Sequence, residues 1–301
     1  MRRELIFYDF SGRVLGRCGD ISSLYVKEYY NAVGTFEAHF PASSEAGKIL
    51  LSNEFVVVLG DGFKDIITSV TAGGSEVTAY GRSLGWILIK RLCAPFGIND
   101  DDNIISEEAA LIAERLVSES WSGCITVNPS GITGHKIEFS RSGHNPCGTV
   151  IIDALAAAGL GHKVDFSPKG GWSFTVYEGK ERRLTLGRDL KNATKSVYTQ
   201  DILDRFNVAY VDGDLTHSTD ITDWETQVDN AADIASKGTK RSITAEAVNL
   251  VHGIDYNLGD IIRVTEDFCG LRFSSKLRVA GVERWAEYND VGEKPILEAI
   301  E

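Results

Sequence analysis

Methionine, proline and cysteine are all scarce in this chain, and it has no long apolar run. Its 301 residues include one Met, at the first position, six Pro and five Cys. The cysteines are odd in number, lie far apart and form no C-x-x-C pair. This disfavours a disulfide framework or a structural zinc site and fits a reducing compartment. No segment reaches the roughly 18 apolar residues of a membrane span, so we expect no membrane insertion.

Positive charge is also in short supply. The 31 Lys and Arg oppose 43 Asp and Glu, which gives a net charge of −12 and a pI near 5.0. Binding to phosphate backbones needs cations that displace counterions, and anionic membranes attract basic surfaces. We therefore expect no specific nucleic-acid binding. The apolar run Leu5–Tyr8 ends at Asp9, too soon for a signal peptide, and predicts synthesis in a cytoplasm.

Glycine, in contrast, is plentiful, with 30 residues that indicate tight turns between short strands. The first ninety residues predict an antiparallel meander. In Thr35–Phe40, the side chains Phe36, Ala38 and Phe40 alternate with polar ones, as in a half-buried strand. Short strands at this spacing are typical of a sandwich or a barrel.

Helical patterns then appear, and the strands return after them. The predicted helices are a short one from Leu84 to Arg91 capped by Ser83, then Glu107–Ser118, Val150–Ala158 and a helix begun by a capping box at Thr222–Glu225. Between the last two, Trp172–Tyr177 and Arg183–Leu186 predict a hairpin.

The order of these elements predicts a β-rich α+β fold with two antiparallel β-barrel-like domains and intervening helices. We expect a first barrel at 1–95, completed by later strands. A helical and loop insertion follows at 96–160, and a second β-rich domain at 161–301 carries one helix near 223–236.

Catalytic patterns are weak. His144 and Cys147 are the nearest approach to a nucleophile–base pair, but three residues of separation in a flexible segment would not fix their geometry. The six histidines show neither H-x-x-x-H nor H-E-x-x-H spacing. The consecutive acids in Asn99–Asn103 point apart, unlike calcium ligands. Asp220, Asp223, Asp229 and Asp233 suggest no pair across a cleft. We predict no catalytic residue, metal or cofactor.

Three basic residues are the candidates for contacts between chains: Arg82, Lys90 and Arg91. Cations at a helix end also suit the helix dipole, so a solvated helix end is the alternative interpretation. An exposed ion pair is worth only about 0–1 kcal/mol and would fix register more than stability.

Several short motifs, taken in order, resemble phage tail-hub proteins, the baseplate hub or tail-associated proteins of siphophage-type tails and prophages. In the first half these are Gly34–Glu37, Phe40-Pro41, Phe55–Val58 and Gly81–Leu84 followed by Leu88 and Lys90-Arg91. In the second half they are Ser173–Gly179, Leu184–Asn192, Asn207–Gly213 and Asp255–Ile262. Each motif is moderately specific, and their order over most of the chain is the stronger signal.

The resemblance implies a structural role. Family members form trimeric rings at the virion tail tip, with two barrels per chain, that join the tail tube to the spike or fibres and let DNA pass. The expected partners are copies of this chain, a distal tail protein and a spike or fibre, after synthesis in a bacterial cytoplasm. Some members carry a lytic domain; this sequence ends at Glu301 without one, so we expect no enzyme activity.

Two other functions stay open at this stage. The first is a cell-wall-degrading tail endopeptidase or lysin that would depend on His144 and Cys147. The second is a carbohydrate-binding module for host recognition that would use exposed aromatic side chains. Its candidates are Trp86, Trp121, Trp172, Trp224 and Trp285, most of which we expect in the core.

Overall fold

A computed structural model describes residues 4–93, 104–140, 145–203, 205–211, 219–229, 234, 238–287 and 290–300. The strands of the first half are β1 (Leu5–Tyr8), β2 (Val14–Cys18), β3 (Ser23–Tyr29), β4 (Thr35–Pro41), β5 (Val57–Gly60), β6 (Phe63–Gly73), β7 (Glu76–Ser83), β8 (Ile104–Glu108), β9 (Ile125–Asn128) and β10 (Lys136–Ser140). Those of the second half are β11 (Gly161–Ser167), β12 (Gly171–Tyr177), β13 (Glu181–Leu186), β14 (Ala193–Asp201), β15 (Val208–Val211), β16 (Glu225–Val228), β17 (Lys240–Ala247), β18 (Ile261–Phe268), β19 (Leu271–Glu287) and β20 (Asp290–Ala299). The helices are α1 (Glu45–Ser52), a 3₁₀ helix (Leu84–Lys90), α2 (Ala109–Ser120) and α3 (Cys147–Ala157). The predicted β-rich α+β class is confirmed.

The largest sheet runs through both halves of the chain. Its order is β13-β18-β19-β3-β4-β7-β6-β5-β1-β2, and β20 pairs with β19 beside this path. The predicted antiparallel strands of the first ninety residues are present, but β4 pairs with β7 and β1 with β5, so the order is not a simple meander. In β4, Phe36, Ala38 and Phe40 are buried as their alternation predicts.

Helix α1 was not predicted. Its N-cap is Ser44, whose hydroxyl accepts a hydrogen bond from the backbone N–H of Gly47 at 3.2 Å. The helix buries Ala46, Ile49 and Leu50 against the apolar core formed by strands β1 to β7 of the largest sheet, which we call the first sheet. A second core lies beneath α2, α3, the 3₁₀ helix and the three-stranded sheet β11-β12-β9.

The other predicted helices differ in detail. The predicted Glu107–Ser118 is α2, but Glu107 and Glu108 belong to β8, where the Glu108 carboxylate accepts from the His135 N–H at 2.8 Å. The predicted Val150–Ala158 is α3, which Gly159 closes with a φ of +66°. In the 3₁₀ helix, Leu84, Ile87 and Leu88 are buried as predicted.

The predicted cap of that 3₁₀ helix is wrong. Ser83 makes no side-chain capping bond; its hydroxyl accepts from the Gly34 N–H at 2.8 Å instead. No helix in the described part of the chain is long and apolar enough to cross a membrane.

The hairpin predicted for Trp172–Tyr177 and Arg183–Leu186 is wrong. Strand β12 pairs with β11 and β9, whereas β13 pairs in parallel with β18 in the largest sheet. The intervening residues cross from one sheet to the other, and the Asp260 carboxylate binds them there by accepting from the Lys180 N–H at 2.9 Å.

The helix predicted near 223–236 is also wrong where the structure describes it, because Glu225–Val228 is β16 and pairs in parallel with β15. The capping-box residues serve a turn instead. Asp220 accepts from the N–H and hydroxyl of Thr222, and Asn207 accepts from the Trp224 N–H at 2.6 Å. Residues 230–233 and 235–236 of the predicted helix lie outside the described residues.

Strand β19 joins the two halves of the molecule. Its first part pairs with β18, and its second part pairs with β3 near the start of the chain. The strand continues through Gly281, where an added Cβ would lie 2.7 Å from the Glu28 carbonyl oxygen.

Candidate functional site

The three predicted contact residues lie near each other in sequence but differ in their surroundings. Arg82 is exposed on β7. Lys90 places its ammonium 4.0 Å from the Trp86 ring centroid. Arg91 lies 4.3 Å from the Trp121 ring centroid and donates to the Ser120 carbonyl at 2.6 Å. Both cations at the end of the 3₁₀ helix therefore stack on indole rings of their own chain.

The candidate hydrolase pair is not assembled in the described residues. Cys147 is fully buried at the start of α3, with its sulfur 3.7 Å from the Leu116 carbonyl oxygen. A buried thiol of this kind has no access to a substrate. His144, the acidic loop 99–103 and Asp233 lie outside the described residues.

The tryptophans divide between the core and the surface. Trp121 is buried, Trp86 and Trp285 are partly covered, and Trp172 donates its indole N–H to the Phe10 carbonyl at 3.2 Å. Trp224 is 43% exposed at the start of β16. The described structure therefore presents one of the five indoles broadly to solvent, which is a narrow basis for sugar stacking.

Tyr30 is a junction that the sequence did not reveal. It is 1% exposed and follows β3. Its hydroxyl accepts from the Gly179 N–H at 3.1 Å and lies 3.2 Å from the carbonyl oxygens of Gly159 and Tyr177, to one of which it donates. One side chain thus connects the first sheet to the end of α3 and to the crossover after β12.

Glycines make room for this ring. A Cβ on Gly161 or Gly259 would lie 2.2 Å from a Tyr30 ring carbon, and one on Gly179 would lie 1.8 Å from the Gly259 carbonyl oxygen. The Arg278 guanidinium sits over the ring at 5.2 Å and donates to the Gly159 carbonyl. Clustered glycines at element ends were the only sequence signal for this junction.

A cleft of about 640 Å³ with several charged side chains in its lining opens beside the junction, between the first sheet, β11 and the loop before β18. Its charged groups are largely paired. Lys64 donates to the Asp165 carboxylate at 2.6 Å and to the Phe166 carbonyl at 2.8 Å, and Arg182 binds the buried Asp260. Lys163 and Lys180 are exposed at its rim. Most of the charged side chains of the cleft therefore bind one segment of the chain to another.

Arg284 forms the centre of a buried charge cluster next to the cleft. It is 3% exposed and ion-paired with Glu28 of β3 and, at 3.3 Å, with Glu293 of β20. It also donates to Nδ1 of His252 at 2.9 Å. Because an arginine only donates, His252 Nδ1 must accept, and the neutral ring carries its proton on Nε2.

Two buried titratable groups near these features have no hydrogen-bond partner on the atoms concerned. Both carboxylate oxygens of Asp65, which is 0% exposed, are unpaired. Burial and the nearby Glu28 raise the pKa of Asp65 well above its usual range, against the opposing effect of Arg284. His162 is buried with Nδ1 unpaired, and burial lowers its pKa to about 4.

The cluster is suited to holding strands together. In the described part of the chain, no group of three or more His, Cys, Asp or Glu side chains could hold a metal ion. Since Arg284 stands among the acidic groups, it occupies the position that a cation would otherwise take.

Comparison with solved structures identifies the fold. The tail protein from Neisseria meningitidis MC58 is 16% identical, with a TM-score of 0.56 over 97% of this chain and 95% of that one. The prophage tail protein gp18 from Listeria monocytogenes EGD-e is 12% identical, with a TM-score of 0.58 over 98% and 94%.

A third structure extends the comparison to secretion systems. The E. coli c3393 protein is a component of the type VI secretion system and itself exhibits structural similarity to the T4 bacteriophage tail proteins gp27 and gp5. It is 12% identical, with a TM-score of 0.51 over 94% of this chain and 74% of that one. No family model and no curated protein matches the sequence. The chain has the fold of phage tail proteins, as the resemblance implied.

Proposed function

We propose that this chain is a structural protein of a phage or prophage tail and forms the tail-tip hub, a homotrimeric ring that joins the tail tube to the spike or fibres. The observation that carries the proposal is a fold shared over nearly the whole length of two tail proteins. The described interior supports it, since its charged groups bind strands to one another instead of forming a reactive pair.

The proposed partners are further copies of this chain, a distal tail protein and a spike or fibre. A type VI component with likeness to gp27 and gp5 has the same fold, which supports a place beside a spike. We propose that the excess negative charge lines the lumen, because a conduit through which DNA passes should not bind it. Tight binding of duplex DNA to the purified ring at low salt would contradict this.

The division into 1–95, 96–160 and 161–301 belongs to the same proposal. Pairing of β19 with β3 supports a first barrel that later strands complete. Among the candidate contacts, Arg82 is exposed without a stacked indole and is the one we expect to reach a neighbouring copy. Lys90 and Arg91 already contact Trp86 and Trp121 of their own chain, so they would meet a neighbouring copy only together with these indole rings.

Mass photometry at increasing concentration tests the ring directly. We expect a species of three times 32.9 kDa, and negative-stain images of the assembled particle should place it at the tail tip. Arg82→Glu should raise the protein concentration at which the trimer forms. Lys48→Glu, which reverses another exposed charge, should leave that concentration unchanged. A monomer at every concentration, also in the presence of the neighbouring tail proteins, would refute the ring.

Enzyme activity is tested separately, by zymography on host peptidoglycan. We expect no clearing. Clearing that is lost in His144→Ala or Cys147→Ala would instead support the endopeptidase. Sugar binding that is lost in Trp224→Ala would support a carbohydrate-binding module.

A further inference from the structure

The side chain of His252 separates two cavities, so a change in the protonation state of its ring acts at the boundary between them. One cavity is the cleft of about 640 Å³ described above. The other, of about 370 Å³, is lined by Arg284, Val291 and Glu293 among others. His252 and Gly62 line both cavities. The half-buried imidazole therefore stands in the wall between them.

The loop that carries His252 is held by a small set of polar contacts. The His252 N–H donates to Glu293 at 2.7 Å, and the Val251 N–H donates to Asp255 at 2.7 Å. The Gly253 N–H donates to the Tyr256 carbonyl at 2.8 Å. Val251 and Ile254 are exposed, at 46% and 75%. Leu250 and Tyr256 are buried and anchor the two ends of the loop, so the exposed turn from Val251 to Ile254 is the part that the bond between His252 and Arg284 holds.

That bond exists in one protonation state only. The neutral ring accepts from Arg284 through Nδ1. A protonated ring donates from both nitrogens, so it would lose this bond and place a second cation against the guanidinium. Several charged and titratable groups lie near His252 or near its partner Arg284. They are Arg284 (β19), Glu293 (β20), Glu28 (β3), Asp65 (β6), Asp61 (the β5–β6 turn), Lys163 (β11), and Asp255 and Tyr256 on the same loop as His252.

Glu28 and Glu293 cannot pair with the protonated ring without a rearrangement. Glu28 and Glu293 are already bound to Arg284, and Glu293 also accepts from the His252 backbone. Burial and the Arg284 charge lower the pKa of His252, in the direction that the geometry requires. The closed arrangement is therefore stable above the ordinary titration range of histidine and is lost as the pH falls below it.

We propose that His252 is an acid-sensitive latch: protonation of its ring releases the turn 251–254 from Arg284 and joins the two cavities that it lines. This inference does not depend on the proposed tail function. It concerns a local opening between the first sheet and the C-terminal strands, which keep their own pairing.

Hydrogen exchange across pH tests the latch. Protection factors, corrected for the intrinsic rate, should fall about tenfold or more for the Val251, His252 and Gly253 amides between about pH 7.5 and about pH 5. The β4 amides should keep their protection over the same range. His252→Gln, which can accept a bond but cannot take up a proton, should keep the loop equally protected at both pH values.

Two further measurements test the tautomer of the ring and the identity of the titrating group. Nitrogen chemical shifts of the ring should show the Nε2–H tautomer at neutral pH. His39→Gln, a matched change at a surface histidine, should leave the pH response of the loop as in the unchanged protein. Equal loop protection at both pH values, the Nδ1–H tautomer, or a pH response that persists in His252→Gln would each overturn the proposal.

Discussion

The interior of the first sheet and the C-terminal strands are stabilised in different ways. Inside the first sheet, buried apolar side chains such as Phe7 and Phe40 pack at a centroid distance of 6.2 Å, and α1 closes the core. Around β18 and β19, Asp260, Glu266 and Arg284 are buried and ion-paired. The first region owes its stability to area removed from water, and the second also to charged bonds that fix where turns and crossovers meet.

The strongest way to break the first region is to empty its core. Phe40→Ala should lower the free energy of unfolding by about 3–5 kcal/mol, because it leaves a cavity in a fully buried site. Urea denaturation at low and high salt measures it, and the loss should be the same at both. A loss that clearly depends on salt would mean that charged interactions also stabilise the first region, contrary to the comparison.

The corresponding test of the second region is Asp260→Asn. Its carboxylate accepts from the N–H groups of Lys180 and Asn257 and from Arg182, and an amide would turn a donor toward one of these donors. We expect a loss of about 3 kcal/mol in urea denaturation. Asp189→Asn, at an exposed acid, is the control and should change stability by less than about 0.5 kcal/mol. Equal effects of the two variants would contradict the assigned role of Asp260.

Acid should lower the stability of the protein through protonation of His162. Its pKa of about 4 lies below the unfolded value of 6.5, so the unfolded chain takes up the proton first and stability falls as the pH drops through this window. The total loss should approach about 3 kcal/mol at the lower end. His162→Gln should flatten that part of the curve of unfolding free energy against pH. An unchanged slope in the variant would assign the acid sensitivity to other groups.

His39 should give the smallest effect, with the opposite sign. Although partial burial opposes it, the bonds to Glu76 and Glu37 raise the pKa of His39. Its contribution is therefore present below pH 6.5 and is lost as the pH rises through the folded value. At a partly exposed site we expect less than about 1 kcal/mol, measured by comparing His39→Gln with the unchanged protein at both ends of that range. A stability advantage of the unchanged protein over the variant that grows as the pH rises would contradict this sign.

The same contrast explains which elements of the fold could be predicted from the sequence. Alternation in β4 and the helical spacing around Leu116 and Leu88 reflect burial of one face, which is a local property, so these elements were predictable. The crossover after Tyr177 was not predictable, because a hairpin and a crossover would use the same turn residues. Asp260 and Tyr30, which bind the crossover, lie far from it in sequence, and Asp260 is 80 residues from Lys180.

The candidate site was less predictable for a related reason. The partners of Arg284 come from β3, β20 and the loop before β18, and no local spacing of acids and bases indicates that they meet. The helix predicted after Thr222 failed where the capping residues found other partners, Asn207 and Asp220 among them. Tyr30 gave no signal of its own beyond the glycines that surround it.

The long strand β19 also constrains how this protein is made. Tyr25 and Glu287 are 262 residues apart, yet their side chains are hydrogen-bonded across neighbouring strands. While the ribosome is still translating the middle of the message, the outer side of β3 has no partner to pair with, and such open edges invite association between nascent chains. Pairing of β3 with β19 consequently waits until β19 has been made, and a chaperone that shields β3 until then would raise the yield of folded protein.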